Sequence, residues 1–175
     1  KTKAGRTVYD GGGVLPDMEI EETKMATITD AVVKTDAIFN FATQWYYKNP
    51  TVSGIPTISD ADFIAFKTFL KQEKISLDTE TNKALKNVLE TAKKEKIDTQ
   101  ITNEYKQLEL AIEKNQEMEL DKNKNQIKKL IQEDLITRYQ YREGLYQFYT
   151  KENLEIEKAI ALLNNQTQYK SILKK

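Results

Sequence analysis

Ser53, Ser59, Ser76 and Ser171 are the four serines of this 175-residue chain, and with carboxylates, Lys, Thr, Tyr and backbone amides they are what its composition leaves for chemistry. The chain has no His and no Cys. That excludes a Ser-His-Asp triad, a Cys-His dyad, imidazole and thiolate metal sites, iron–sulfur clusters and disulfides. A Ser-Lys pair remains, and it needs a Ser on a rigid turn beside a desolvated Lys. Ser53 lies in a Pro/Gly loop, Ser59 reads as a helix N-cap, Ser76 falls at a helix break and Ser171 sits in the tail. None is flanked by an oxyanion loop, so no catalytic residue is assigned.

The other candidates are equally local. Asp10-Gly11-Gly12-Gly13 lacks the Gly-Lys-Ser/Thr of a P-loop and the G-x-G-x-x-G of a dinucleotide turn, and it reads as a tight loop between strands. Glu117 and Asp121 stand four apart on a helix, but Lys114, Lys122 and Lys124 flank them, which favours a solvated, lysine-interleaved face over a cation site. The spaced oxygen ligands and central Gly of a calcium loop are absent. No cofactor and no metal is assigned. On one helix, Tyr139, Arg142 and Tyr146 share a face, read as a candidate partner-contact strip, while Tyr141, Leu145, Phe148 and Tyr149 share another, read as core.

Lys plus Arg and Asp plus Glu each total 27, so the formal charge is zero and no global field draws nucleic acid. No apolar run approaches the length of a membrane span. The chain opens on Lys1-Thr2-Lys3 with no apolar stretch behind it and no initiator Met. A mature product or a fragment, without a signal peptide, is therefore expected.

The elements that would position these residues follow from the helix breakers. All three Pro (Pro16, Pro50, Pro56) and all Gly but Gly144 lie early in the chain. Beyond them, helix is expected nearly throughout. Residues 1–21 read as two short strands around the glycines, too few for a stable sheet of their own. Apolar positions from Ile28 to Trp45 or Tyr46 give one helix face, ended by Asn49-Pro50. Ser59 caps a helix with Phe63, Phe66, Phe69 and Leu70 inward, and Asp78 or Thr79 caps another, buried through Leu85, Val88, Leu89 and Ala92. Residues 113–126 hold only Met118 and Leu120 as apolar residues, so they read as a projecting arm, a hairpin tip or a junction near Asp121–Asn125 that adds little to a core. Ile127 to Ile136 restart an apolar face. A last helix over about 154–163 turns Ile156, Ala159, Ile160 and Leu163 inward. The expected fold is mainly α: a bundle of five or six helices over residues 22–175, with a short β remnant at 1–21.

Residues 3–20, KAGRTVYDGGGVLPDMEI, resemble the end of the catalytic core of carboxy-terminal processing (tail-specific) serine peptidases. There a T-x-x-G-R-x-[IVY] strand leads through glycines into G-[IV]-x-P-D, matched here by Thr2, Gly5, Arg6, Val8, Gly13, Val14, Pro16 and Asp17. The stretches ITRYQYREG (136–144) and AIALLNN (159–165), with Tyr169 to Leu173, are similar to the helical extension of members from Bacteroidetes-type bacteria. The resemblance implies a fragment of an enzyme that joins a PDZ domain to an α/β core. Such an enzyme cuts proteins near their C-termini with a Ser nucleophile and a Lys base. Those motifs lie upstream of the matching element, so no catalytic residue transfers to this chain. Periplasmic or envelope localisation is implied in the same way.

The expected function is a noncatalytic C-terminal helical region of such a serine endopeptidase, acting in substrate access, regulation or self-association. Its expected partners are protein substrates, the PDZ and catalytic core, and further copies of itself. Nucleic acid is not expected. The alternative is a free-standing helical adaptor that binds a protein or peptide through its aromatic strip. A hydrolase complete in these residues is disfavoured by composition.

Overall fold

A computed structural model describes residues 16–21 and 24–173. The described residues form eight helices: α1 (Thr27–Val33), α2 (Ala37–Lys48), α3 (Asp60–Gln72), α4 (Glu80–Glu95), α5 (Thr102–Lys122), α6 (Lys124–Glu152), α7 (Leu154–Asn164) and α8 (Gln166–Leu173). The mainly α expectation holds. Residues 1–15, where most of the β remnant and the glycine loop were expected, lie outside the described residues, and 16–21 carry no regular structure.

More helices form than the five or six expected because two apolar runs are interrupted. The run from Ile28 divides at Lys34–Asp36. There the Thr35 hydroxyl donates to the Val32 carbonyl at 2.7 Å and accepts from the Ala37 amide at 3.2 Å. This side chain competes with the backbone ladder and starts α2 afresh. At the C-terminal end, α7 is followed by a separate α8 rather than a loose tail.

The chain divides into two compact units, one of Lys24–Tyr141 and one holding Arg142–Lys175. In the first, the core gathers α1, α2, α3, Leu120 of α5 and the early part of α6. Phe66 is fully buried, meets Phe41 edge-on at 5.2 Å and lies in one cluster with Phe69 and the stripe Ile127, Ile131 and Leu135. That i, i+4, i+8 stripe is the apolar face of α6. Phe63, Phe66, Phe69 and Leu70 are all buried, as their spacing predicts. In α4, Leu85 and Ala92 are buried, Leu89 is half-buried, and Val88 is 53% exposed.

α3 is fixed at its start by local chemistry. Ser59 accepts from the Asp62 amide, and the Asp62 carboxylate accepts from the Ser59 amide at 2.9 Å, a reciprocal cap. Trp45 Nε1 of α2 donates to the same carboxylate at 2.9 Å. Burial alone would raise the Asp62 pKa, but the hydrogen bonds from Ser59 and Trp45 outweigh it and hold the carboxyl below its ordinary value. Asp60 in the same turn pairs with Lys124 and Lys128 of α6.

Residues 113–126 form no projecting arm. α5 ends at Lys122 and α6 begins at Lys124, so the junction option is the one realised. Asn123 turns the chain and donates from Nδ2 to the Glu119 carbonyl at 2.8 Å. Leu120 is only 6% exposed and belongs to the core, contrary to the expectation that this segment adds little to it. In the second unit, Phe148 is buried and α7 packs with α8. α7 has no buried residue. Ile160 and Leu163, expected inward, are 52% and 55% exposed, since packing against one short helix covers little of an amphipathic face.

Two predictions follow from this packing. Phe66→Ala should lower unfolding free energy by about 3–5 kcal/mol, whereas Val88→Ala should stay within about 0.5 kcal/mol, both read from urea denaturation. A carboxyl with a depressed native pKa stabilises the fold above its unfolded value, and that contribution is lost as pH falls through the native value. The urea midpoint should therefore be level from pH 7 to about pH 5 and drop below about pH 4. Asp62→Asn should cost about 1 kcal/mol at pH 7 and make the acid drop shallower.

Candidate functional site

Each described serine has a structural partner or an open setting. Ser53 lies in an exposed bend and Ser59 caps α3. The Ser171 hydroxyl donates to the Gln168 carbonyl at 2.8 Å. The Ser76 hydroxyl donates to Asp78 Oδ1 at 2.9 Å, and Lys86 Nζ donates to the same oxygen at 2.8 Å. These bonds, that from Lys86 foremost, hold the Asp78 carboxyl below its ordinary value. Lys86 is therefore engaged as a cation at the surface, with a side chain 57% exposed, which is the opposite of the desolvated base a Ser nucleophile needs.

Glu117 and Asp121 both meet lysines of α3. Lys71 reaches Glu117 and Lys67 reaches Asp121, each at 2.5 Å. The hydrogen bond from Lys71 and its charge lower the Glu117 pKa. Among the described residues no cluster of His, Asp or Glu is arranged to hold a metal ion.

Of the aromatic strip, Tyr139 packs on the core. Its ring lies 4.8 Å from that of Tyr46 and meets Trp45 edge-on, and its hydroxyl donates to the Asn49 carbonyl. Burial raises its pKa, with a smaller contribution from Tyr46. The preceding residue, Arg138, pairs with Asp134 and lies over the Phe39 ring at 4.6 Å. Arg142 and Tyr146 are exposed and belong to the second unit. Between them and Tyr139 stands Tyr141, with φ 56° and ψ −157°. The helical register that sets Tyr139, Arg142 and Tyr146 on one face is interrupted there. Tyr141 itself, expected in the core, is 73% exposed for the same reason.

The cavity that sequence reasoning missed is a cleft of about 630 Å³ in the first unit, formed by α3, the α3–α4 link, α4 and α5. Leu70, Leu77, Leu85 and Leu120, all buried, give it an apolar floor, with half-buried Ile75 and Tyr105 beside them. Helices α4 and α5 pack closely, as do α2 and α3, whereas α3 and α5 stand farther apart and are bridged by long side chains. The bridges run antiparallel: a step of four along α3, from Lys67 to Lys71, is a step of four back along α5, from Asp121 to Glu117.

The next rung would fall near Ile75 and Glu113, but α3 has already ended. The Lys74 amide donates to the Lys71 carbonyl and the Ile75 amide to the Leu70 carbonyl, with Lys74 left-handed at φ 51°. This is a Schellman stop, with Lys where Gly is commonest. It ends α3 before that rung. Gln116 closes the floor by donating to the Leu77 carbonyl at 3.0 Å and to Asn82 Oδ1 at 2.6 Å. The spacing of Lys67, Lys71 and Lys74 was visible in sequence, but the carboxylates opposite lie about fifty residues away, and nothing local aligns them.

Among the described residues no helix is long and apolar enough to cross a membrane. No curated protein and no solved structure matches the chain significantly. Residues 28–163 match the family described as "Probable PDZ-protease, C-terminal helical domain", a span that covers α1 to α6 and nearly all of α7. That match agrees with the all-helical fold of the described residues. The chain belongs to this family of C-terminal helical domains of PDZ-proteases.

Proposed function

We propose that this domain is the noncatalytic helical region of a serine endopeptidase that processes protein C-termini, and that it governs how substrate polypeptide reaches the catalytic core. The open cleft beside α3 and α5, with its leucine floor and charged walls, carries this reading. A helical domain whose serines serve as caps and turn bonds contributes binding rather than bond cleavage, and a cleft floored by leucines is the surface on which an unfolded polypeptide can lay apolar side chains. The likeness of residues 3–20 to the end of a tail-specific peptidase core supports the serine-type assignment, and with it the periplasm or cell envelope as the place of action. The cleft, rather than the Asp121–Asn125 junction, is the surface this role uses, because the junction is held by Leu120 and the lysine bridges.

The test is made in the full-length protease with Ile75→Trp, which narrows the cleft from its half-buried edge. Turnover of an unfolded protein substrate should fall several-fold, while cleavage of a short peptide reporter stays unchanged. Equal rates on both substrates, for a variant with unaltered thermal stability, would remove the domain from substrate handling.

A further inference from the structure

Two side chains of opposite charge in the cleft lining take no part in the ion pairs that bridge α3 and α5. Lys74 comes from the end of α3 and Glu113 from α5. Lys71 and Lys67, one and two turns earlier, are each matched by a carboxylate of α5. Neither Lys74 nor Glu113 has an ion-pair partner among the described residues, and Glu109, one turn before Glu113 on the same wall, has none either. The same cleft holds the leucine floor and, on α5 one turn before Glu109, Tyr105, whose hydroxyl has no hydrogen-bond partner among the described residues. The Schellman stop ends α3 before the rung that Glu113 would complete, and the leucine floor lies within the same cleft.

We infer that this cleft binds a short apolar stretch of another polypeptide flanked by charges of both signs, its acidic side chain on Lys74 and its basic side chain on Glu113. The inference rests on the proposed role in substrate handling and names the chemistry of the segment received. Each side follows from a separate feature. The floor, with Ile75 and Tyr105 beside it, offers apolar surface to an aliphatic side chain by area burial. The split charges favour one direction of the incoming chain, because reversing it sets like charges together at both walls. The free Tyr105 hydroxyl supplies a hydrogen bond for the peptide backbone. A cleft of this volume falls within the usual range for small-ligand sites, which suits a segment of a few residues rather than a folded partner.

The experiment uses the 175-residue chain and fluorescein-labelled, end-capped peptides of sequence Asp-Leu-Ile-Leu-Lys, Lys-Leu-Ile-Leu-Asp and Asn-Leu-Ile-Leu-Gln, read by fluorescence anisotropy at low salt. One of the two charged peptides should bind at least tenfold tighter than the other and than the uncharged one. Lys74→Glu should weaken that peptide about tenfold, and the double variant Lys74→Glu/Glu113→Lys should reverse the preference between the two charged peptides. Both positions are exposed, and equal melting temperatures confirm that the variants fold. Equal affinity for all three peptides, or no binding to any, would overturn the inference. So would a dimer in sedimentation that Lys74→Glu dissolves, since a second copy would then be the occupant. Absence of peptide binding together with impaired protein turnover by Ile75→Trp would leave the substrate-handling role standing and remove only the charge chemistry.

Discussion

Helix α3 is the constraint on which the first unit depends. Its inner face inserts Phe63, Phe66 and Phe69 into a core shared with α1, α2 and α6. Burying each such ring contributes about 1.5–3 kcal/mol, far more than any surface pair in the chain. The aromatic stripe fixes the rotation of α3, and that rotation decides where its lysines emerge. Lys67 and Lys71 then face α5 because Phe63, Phe66 and Leu70 face inward. The exposed bridges to Glu117 and Asp121 contribute little to stability. They record the register that the core imposes and set the width of the gap.

That division of labour explains why a cleft survives in a small helical protein. Apolar surface of this kind usually closes on itself. Here the reciprocal cap at Ser59 and Asp62 fixes where α3 begins, and the turn at Lys74 fixes where it stops. α5 runs on for further turns past the end of its neighbour, with α4 packed against it. The unmatched length of α5 forms one wall, and the floor is built from residues of four segments, none of which could move inward without displacing Leu70 or Leu120 from the core.

Much of the fold was legible because its causes are local. The Ser59 cap, the phenylalanine spacing of α3, the Thr79 start of α4 and the stripe Ile127, Ile131 and Leu135 each follow from neighbouring residues. The break at Lys34–Asp36 was hidden because Thr35 is an ordinary residue whose hydroxyl happens to bond its own backbone. Ile160 and Leu163 were expected inward because periodicity identifies an apolar face without supplying a partner for it. The cleft was beyond reach for a related reason. It exists only where residues of α3 and α5, distant in sequence, are brought opposite each other, and where one expected rung is missing. Of the aromatic strip, Tyr139 was drawn into packing by Trp45 and Tyr46, which no pattern within α6 announces.

The conformation at Tyr141 has a thermodynamic consequence. A helix transmits cooperativity through its unbroken run of helical dihedrals and backbone hydrogen bonds, and a residue at φ 56° and ψ −157° interrupts that run of dihedrals at the boundary of the two units. Disorder that begins among α7 and α8, where little is buried, therefore has no helical conduit into the phenylalanine core. The C-terminal helices can melt and reform as a separate foldon while the cleft-bearing unit keeps its shape.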